Sequence, residues 1–339
     1  MKRQREGPSI DSYMIKPKAS KGNNEGGEDE SSDKRSQGGQ RRNALRDIAA
    51  GTLDAIKHGS YLQHNLSASV ALSKQNTKYY SPNSLLSTWE TARPSTTYET
   101  HVSLLEVSTL DGARLLANAS ASANTNTDPS HDPSSGSHSL VKPRIGVLNF
   151  ASAKKPGGGF LGGAQAQEES IARSSTLYPT LMTSTAQQFY TLHNRDARDG
   201  YYSHAMIYSP GVVLFRDDHG DWTDPLAVDV LTSPAVNAGV VKRKYPGSEA
   251  EEAIRKAMKE RMGRILFLLE KQGVQEVVLG SFGTGVFRNS VDEVARIWVE
   301  LILVPNARFG KSFKNVLFAV LGTETFQTFQ EVFVSHGVS

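Results

Sequence analysis

Three short, nearly continuous apolar runs constrain this chain more than anything else in it. They are Ile145–Phe150 (IGVLNF), Val274–Leu279 (VQEVVL) and Asn315–Leu321 (NVLFAVL). A strand that is apolar on both of its faces must be covered on both, which places it inside a sheet with helices above and below. The intervening sequence supplies those helices. Glu249 to Lys271 is long and amphipathic and ends at Gly273; Val291 to Leu303 and Thr325 to Val334 follow the same pattern. Ala205–Phe215 and Leu226–Leu231 read as two more strands joined by the hairpin-like Asp217-Asp218-His219-Gly220-Asp221. Strands alternating with helices predict a three-layer α/β domain.

Towards the N-terminus, Leu45, Ile48, Ala49, Leu53 and Ile56 recur at three- and four-residue spacings, predicting a helix over 43–57 stopped by Gly59. A strand over 97–109 and a helix over 111–118 capped by Asp111 are expected next, and 170–192 is helical in composition but interrupted at Pro179. Residues 1–42 are polar and lack an apolar period, so they are expected to be a disordered tail. Within them Lys2, Arg3 and Arg5 could belong to a nuclear-import signal and 8–14 to a degenerate clamp-binding peptide; both readings are minor. The expected division is therefore a tail (1–42), an N-terminal helical accessory segment (43–96) and a core (97–339) carrying a Ser/Asn/Pro-rich disordered insertion at 119–140.

The 339 residues contain no cysteine, which excludes disulfides, thiolate metal sites and a Cys nucleophile. With 38 Lys+Arg against 35 Asp+Glu, the charge does not mark a sequence-specific nucleic-acid binder. No apolar run approaches the roughly 20 residues of a membrane helix, and the N-terminus lacks a secretory apolar region. The expectation is an intracellular protein, nuclear or cytoplasmic, with no membrane partner.

Chemistry concentrates in two glycine-rich loops, each leaving an apolar strand and entering a helix. The first is Pro156 to Glu169, with Gly157, Gly158 and Gly159 followed by the spacer 160–166 and then Gln167, Glu168 and Glu169. Consecutive glycines let a ligand approach the backbone, although a plain strand–helix connection would also use them. The second, Leu279 to Asn289, contains Gly283, Thr284, Gly285, Val286 and Phe287. Its backbone N–H groups could cradle a diphosphate, without the Walker or dinucleotide fingerprint.

The Gly-Gly-Gly, spacer, Gln-Glu-Glu arrangement resembles the signature of poly(ADP-ribose) glycohydrolases, most closely the microbial type. Leu148-Asn149-Phe150-Ala151, Ser174, Thr176-Leu177-Tyr178-Pro179 and the second loop extend the similarity across most of 43–339. The resemblance implies a macrodomain-like α/β/α sandwich with a mixed sheet that binds ADP-ribose. It implies that Glu169 is the general acid–base and Glu168 holds ribose hydroxyls. Asn149, Gly157, Gly158, Gly159 and Gln167 would help bind substrate, Gly283–Phe287 would hold the diphosphate with Phe287 against the distal ribose, and Val107 and Ser108 would lie near the adenine. Departures are Lys155 for a common Asn, Thr284 for a common Cys and Phe282 for a frequent Trp. The implied partners are poly(ADP-ribose) or ADP-ribosylated proteins, the implied state is a monomer, and neither metal nor cofactor is required. Two alternatives stand beside this reading: a module that binds ADP-ribose without cutting it, and a mono-ADP-ribosyl hydrolase. The presence of both glutamates weighs against the first.

Neighbouring glutamates at a helix start diverge by roughly 100°, so they are not expected to flank one sugar like the paired carboxylates of ordinary glycosidases. One should move the proton and the other bind, and the acid should have its pKa raised by burial and by its neighbour. Asp217–Asp221 reads as an exposed hairpin tip, the histidines show no metal-ligand spacing, and Lys242-Arg243-Lys244 reads as a solvated basic loop, with steering of a polyanionic polymer toward the cleft as the lesser alternative.

Overall fold

The apolar runs lie side by side in one seven-stranded sheet. The structure, a computed structural model, describes residues 30–125 and 143–338. The chain divides between Gln40 and Arg41 into two units; residues 30–40 of the first are helical, and the second carries everything below. The N-terminal elements are α1 (Glu30–His58), a small hairpin of β1 (Ser60–Tyr61) and β2 (His64–Asn65), α2 (Ser67–Asn76) and β3 (Lys78–Tyr80). Next come β4 (His101–Leu105), α3 (Thr109–Thr125), β5 (Ile145–Phe150), α4 (Gln167–Ser174), α5 (Leu177–Leu181) and α6 (Ser184–Arg195). The hairpin of β6 (Met206–Arg216) and β7 (Trp222–Ser233) leads to α7 (Ala238–Lys244) and α8 (Ser248–Lys271). The chain closes with β8 (Glu276–Leu279), α9 (Val291–Ile302), β9 (Asn315–Ala319) and α10 (Thr323–Val334).

The sheet order is β3-β6-β7-β5-β8-β9-β4. Strands β7, β5, β8, β9 and β4 are parallel, whereas β6 runs against both β7 and β3. The mixed sheet between two helical layers is the expected macrodomain-like α/β/α architecture. Alternation along each strand assigns the layers. Leu148, Val277 and Phe318 join a core with Met262, Ile265, Trp298 and Phe333 of α8, α9 and α10. Their neighbours Val147, Val278 and Leu317 point the other way, to Leu110, Ile171, Leu177 and Phe189 of α3 to α6. Both faces are dry, which is why these strands read as continuous apolar runs.

Several local expectations are corrected. Ser108, not Asp111, caps α3, its Oγ accepting from the Asp111 N–H at 3.0 Å. The helix also continues past Asn118 to Thr125, where alanines sustain it through the Ser/Asn-rich stretch; residues 126–140 of the expected insertion lie outside the described residues. The segment 170–192 breaks at Ser175–Thr176 and again at Met182–Thr183 rather than at Pro179; the first break arises because its residues pair with β6, Ser175 bridging Leu214 and the Thr176 N–H donating to Val213 O at 3.0 Å. Pro179 sits within α5, early enough to need no N–H partner. Lys242–Lys244 are the last turn of α7, not a loop. The short elements β1, β2, α2 and β3 carry too few residues for a periodic signal.

Residues 85–89 of the accessory segment pack on α8. Trp89 is buried, stacks on Phe309 at 5.9 Å and donates its indole N–H to Glu260 Oε2 at 2.8 Å. The ring occupies the space a side chain at Gly263 would need: a Cβ there would lie 2.4 Å from Trp89 Cε2. Gly263→Ala should therefore destabilise the fold by about 1–3 kcal/mol through overpacking, read as a lower urea midpoint at unchanged slope.

Candidate active site

Strands β5 and β8 are neighbours in parallel register, with Val147 opposite Val278, so the loops leaving their C-terminal ends are neighbours too. Phe150 and Phe282, one from each loop base, meet edge to face at 5.7 Å. Topology thus brings together two glycine-rich segments more than a hundred positions apart, at the strand ends where open α/β sheets bind ligands.

The first loop folds through successive tight turns, with Gly158 N–H donating to Lys155 O at 3.0 Å and Gly162 N–H to Gly159 O at 2.9 Å. Phe160 plugs it down, fully buried against Ala49 and Ala172 and 4.9 Å from the Tyr178 ring. Gln167 then opens α4, its carboxamide spent on the chain itself. Its Oε1 accepts from Phe150 N at 2.9 Å, and its Nε2 donates to Leu148 O at 2.7 Å and Thr109 Oγ1 at 3.1 Å. The side chain stands in for a neighbouring strand and fixes the start of α4 against the end of β5.

Both glutamates are buried. Glu168 has each oxygen engaged: Oε2 accepts from Ser152 N at 2.6 Å, and Oε1 from Asn149 Nδ2 at 3.4 Å. Asn149, fully buried on β5, also donates to Thr232 Oγ1 across the β5–β7 ladder at 3.1 Å. Burial pushes the Glu168 carboxyl up from its ordinary 4.5 to about 8, with the Glu169 charge adding to the push and hydrogen bonds opposing it. Glu169 differs. Its Oε1 accepts from Gly159 N at 2.8 Å, while Oε2 is buried without a partner among the described residues.

The two carboxylates do not diverge as expected of sequence neighbours. A Cβ built on Gly158 would lie 2.3 Å from Glu169 Oε1 and 3.0 Å from Glu168 Oε2, so both converge on that one residue. The loop curls back over the N-terminus of α4, and glycine leaves the room; its φ of +60° is a second reason for glycine there. Glu168, the more deeply enclosed carboxyl, carries a pKa raised chiefly by burial.

In the second loop, Gly283 adopts φ +77°, and a Cβ on it would meet Ala235 Cβ at 2.2 Å. Asn289 ties the loop down, donating from Nδ2 to Gly283 O at 2.9 Å and Val236 O at 2.7 Å. Thr284 turns its hydroxyl inward to Ser281 O at 3.0 Å. Beyond it the N–H groups of Gly285, Val286 and Phe287 have no backbone acceptor among the described residues, which is what an anion cradle would require. Val286 is 83% exposed, and the Phe287 ring lies 5.8 Å from that of Tyr202. Val107 and Ser108 lie at the end of β4, the far edge of the sheet; Val107 packs on the α3 side of the core and Ser108 serves as the α3 cap.

Sequence reasoning missed Ser152, Thr232 and Asn289. Ser152 acts through its backbone N–H, which no sequence records, and Thr232 and Asn289 act across the fold. Asp217 organises the hairpin tip, its Oδ1 accepting from the N–H groups of His219 and Asp221. Among the described residues no group of three or more His, Asp or Glu is placed to hold a metal ion, and no helix is long and apolar enough to cross a membrane.

A buried carboxylate pair and a second glycine-rich loop thus share the C-terminal end of a mixed α/β/α sheet, a macrodomain-like arrangement. A family model of the microbial-type PARG catalytic domain matches residues 49–217. The fold is similar to the crystal structure of poly(ADP-ribose) glycohydrolase from Thermomonospora curvata, at 34% identity and a TM-score of 0.72, covering 86% of this chain and 100% of that one. The same enzyme bound to the inhibitor ADP-HPD gives 33% identity and a TM-score of 0.70 over 86% and 99% of the two chains. The Deinococcus radiodurans enzyme in complex with ADP-ribose gives 32% and 0.65 over 78% and 97%. No curated protein matches. The chain belongs to the microbial-type poly(ADP-ribose) glycohydrolase family, a family of glycoside hydrolases.

Two measurements test this geometry. Gly158→Ala forces a methyl between the carboxylates and should lower turnover about 100-fold while leaving the circular dichroism spectrum unchanged. Glu168 keeps in the folded state a proton that the unfolded chain releases above its ordinary 4.5, so stability falls as pH rises until about 8. Relative to Glu168→Gln, the wild type should therefore lose unfolding free energy across that window and level off above it, in urea titrations at a series of pH values.

Proposed function

We infer that this protein hydrolyses the ribose–ribose O-glycosidic bond of poly(ADP-ribose) and releases ADP-ribose, with Glu169 as general acid–base. The unpartnered Oε2 of Glu169 carries the reading. Glu168 has both oxygens occupied by Ser152 and Asn149 and is suited to hold ribose hydroxyls in a fixed orientation. Glu169 is anchored by Gly159 through one oxygen and has the other free for a reacting atom.

Glu169 then gives its proton to the departing 2′-oxygen of the adjoining unit as the bond to the anomeric carbon breaks. The anomeric carbon acquires oxocarbenium character, and water attacks it while passing a proton back to Glu169. Atoms balance: one water is consumed and two hydroxyl-terminated fragments result. The diphosphate of the released unit lies on the amides of Gly285 to Phe287, with Phe287 against its distal ribose. Val107 and Ser108 sit on the side where the adenine would extend. The substrates are poly(ADP-ribose) and proteins that carry it.

Release of ADP-ribose from poly(ADP-ribose) tests the assignment. Glu169→Gln should lower kcat by about 10²–10⁴ with ADP-ribose affinity by calorimetry retained. Binding without release by the wild type would leave a reader module instead, and full activity in the variant would remove Glu169 from the proton transfer.

A further inference from the structure

Cations from two distant parts of the sequence flank the loop that carries the carboxylates. Lys154 and Lys155 stand exposed where it begins. At its other end Arg42 and Arg46, one turn apart on α1, both direct Nε to the Gly162 carbonyl, at 2.8 and 3.3 Å. Arg42 also lies against Gly163, where a Cβ would come 2.8 Å from Arg42 Cγ. The connection to the chemistry is short. Lys155 O accepts from Gly158, the residue on which both glutamates converge, and Gly162 N–H donates to O of Gly159, which holds Glu169.

None of the four cations has an acidic partner among the described residues. Several cations of α7, α8 and α9 do have acidic partners: Lys242 pairs with Glu251, Lys244 with Asp199, Arg255 with Glu293 and Glu300, and Arg296 with Asp292. Four unneutralised like charges around one loop repel one another and raise the local positive potential, an arrangement that favours an anion at that mouth. The cradle of the second loop already accounts for the diphosphate of the unit being cut. The charges on the first loop are therefore surplus to a single ADP-ribose.

The geometry points to an electropositive rim, formed by Lys154, Lys155, Arg42 and Arg46, that engages the diphosphate of the neighbouring unit in a chain. This inference rests on the proposed function and sharpens it: the preferred substrate is a polyanionic chain, and the rim reads the unit that stays behind. Arg42 and Arg46 also brace the loop, so the two lysines, whose side chains make no hydrogen bond among the described residues, are the clean probe.

The test compares two substrates that share the scissile bond. One is a two-unit chain of ADP-ribose; the other is adenosine carrying a single ADP-ribose on its 2′-oxygen, which lacks the second diphosphate. The double variant Lys154→Gln/Lys155→Gln should raise KM for the two-unit chain about tenfold at low ionic strength, leave kcat unchanged, and reduce the salt dependence of log KM by about one unit of slope. The truncated substrate should be cut with wild-type parameters. Equal losses on both substrates, or none on either, would overturn the rim. If the wild type cuts neither substrate, the hydrolase reading fails separately. Calorimetry then decides the rim: weaker binding of long poly(ADP-ribose) by the variant with ADP-ribose binding unchanged supports it, and unchanged polymer binding refutes it.

Discussion

Two carboxylates are packed against a residue that has no side chain, the middle one of three consecutive glycines. Gly158 lets Glu168 and Glu169 converge, and the next N–H in the chain, that of Gly159, holds one of them. For this contact to exist, the loop after β5 must fold back over the first turn of α4. Phe160 buried beneath the loop, Gln167 fastened to the end of β5 and Arg42 and Arg46 over Gly162 all serve that fold-back. The helix macrodipole adds to it, since a helix N-terminus tolerates negative charge better than most interior positions.

The arrangement gives two adjacent carboxylates different surroundings on one side of the site, unlike the facing pair of ordinary glycosidases. Glu168 is buried and satisfied, and is held up to about 8 chiefly by desolvation. Glu169 is fixed at one oxygen and unpartnered at the other. Identical side chains one position apart thus acquire different chemistry from their surroundings. The second loop is fastened separately, by Asn289 and by the Trp298 indole N–H on Gly280 O at 3.0 Å.

How much was legible depended on whether the signal was local. The central strands were readable because burial on both faces demands continuous apolar residues, and the long helices because their stripe repeats over many turns. Shorter pieces were not. Ser175 and Thr176 leave the helical path to pair with β6, and no local pattern announces a partner nearly forty positions away. Ser108 outcompeted Asp111 as a cap because the helix begins two residues earlier than the acidic residue suggested. In the site, the glycines and glutamates were conspicuous, whereas Ser152, Thr232 and Asn289 contribute through contacts that only the closed sheet creates.

The sequence by itself determined that this chain forms a covered α/β sheet, that its chemistry lies in two glycine-rich loops, and that the Gln-Glu-Glu segment follows the first of them. These are matters of residue type and spacing, and they survive without knowledge of the fold. The tertiary structure decided that the two loops meet, because β5 and β8 are parallel neighbours. It also decided that the two glutamates converge rather than diverge, that burial raises the pKa of Glu168, and that cations from α1 reach the first glycine-rich loop. The reason is the same in each case: proximity between distant segments, and the loss of water around a charge, are properties of the packed chain and not of any stretch of it.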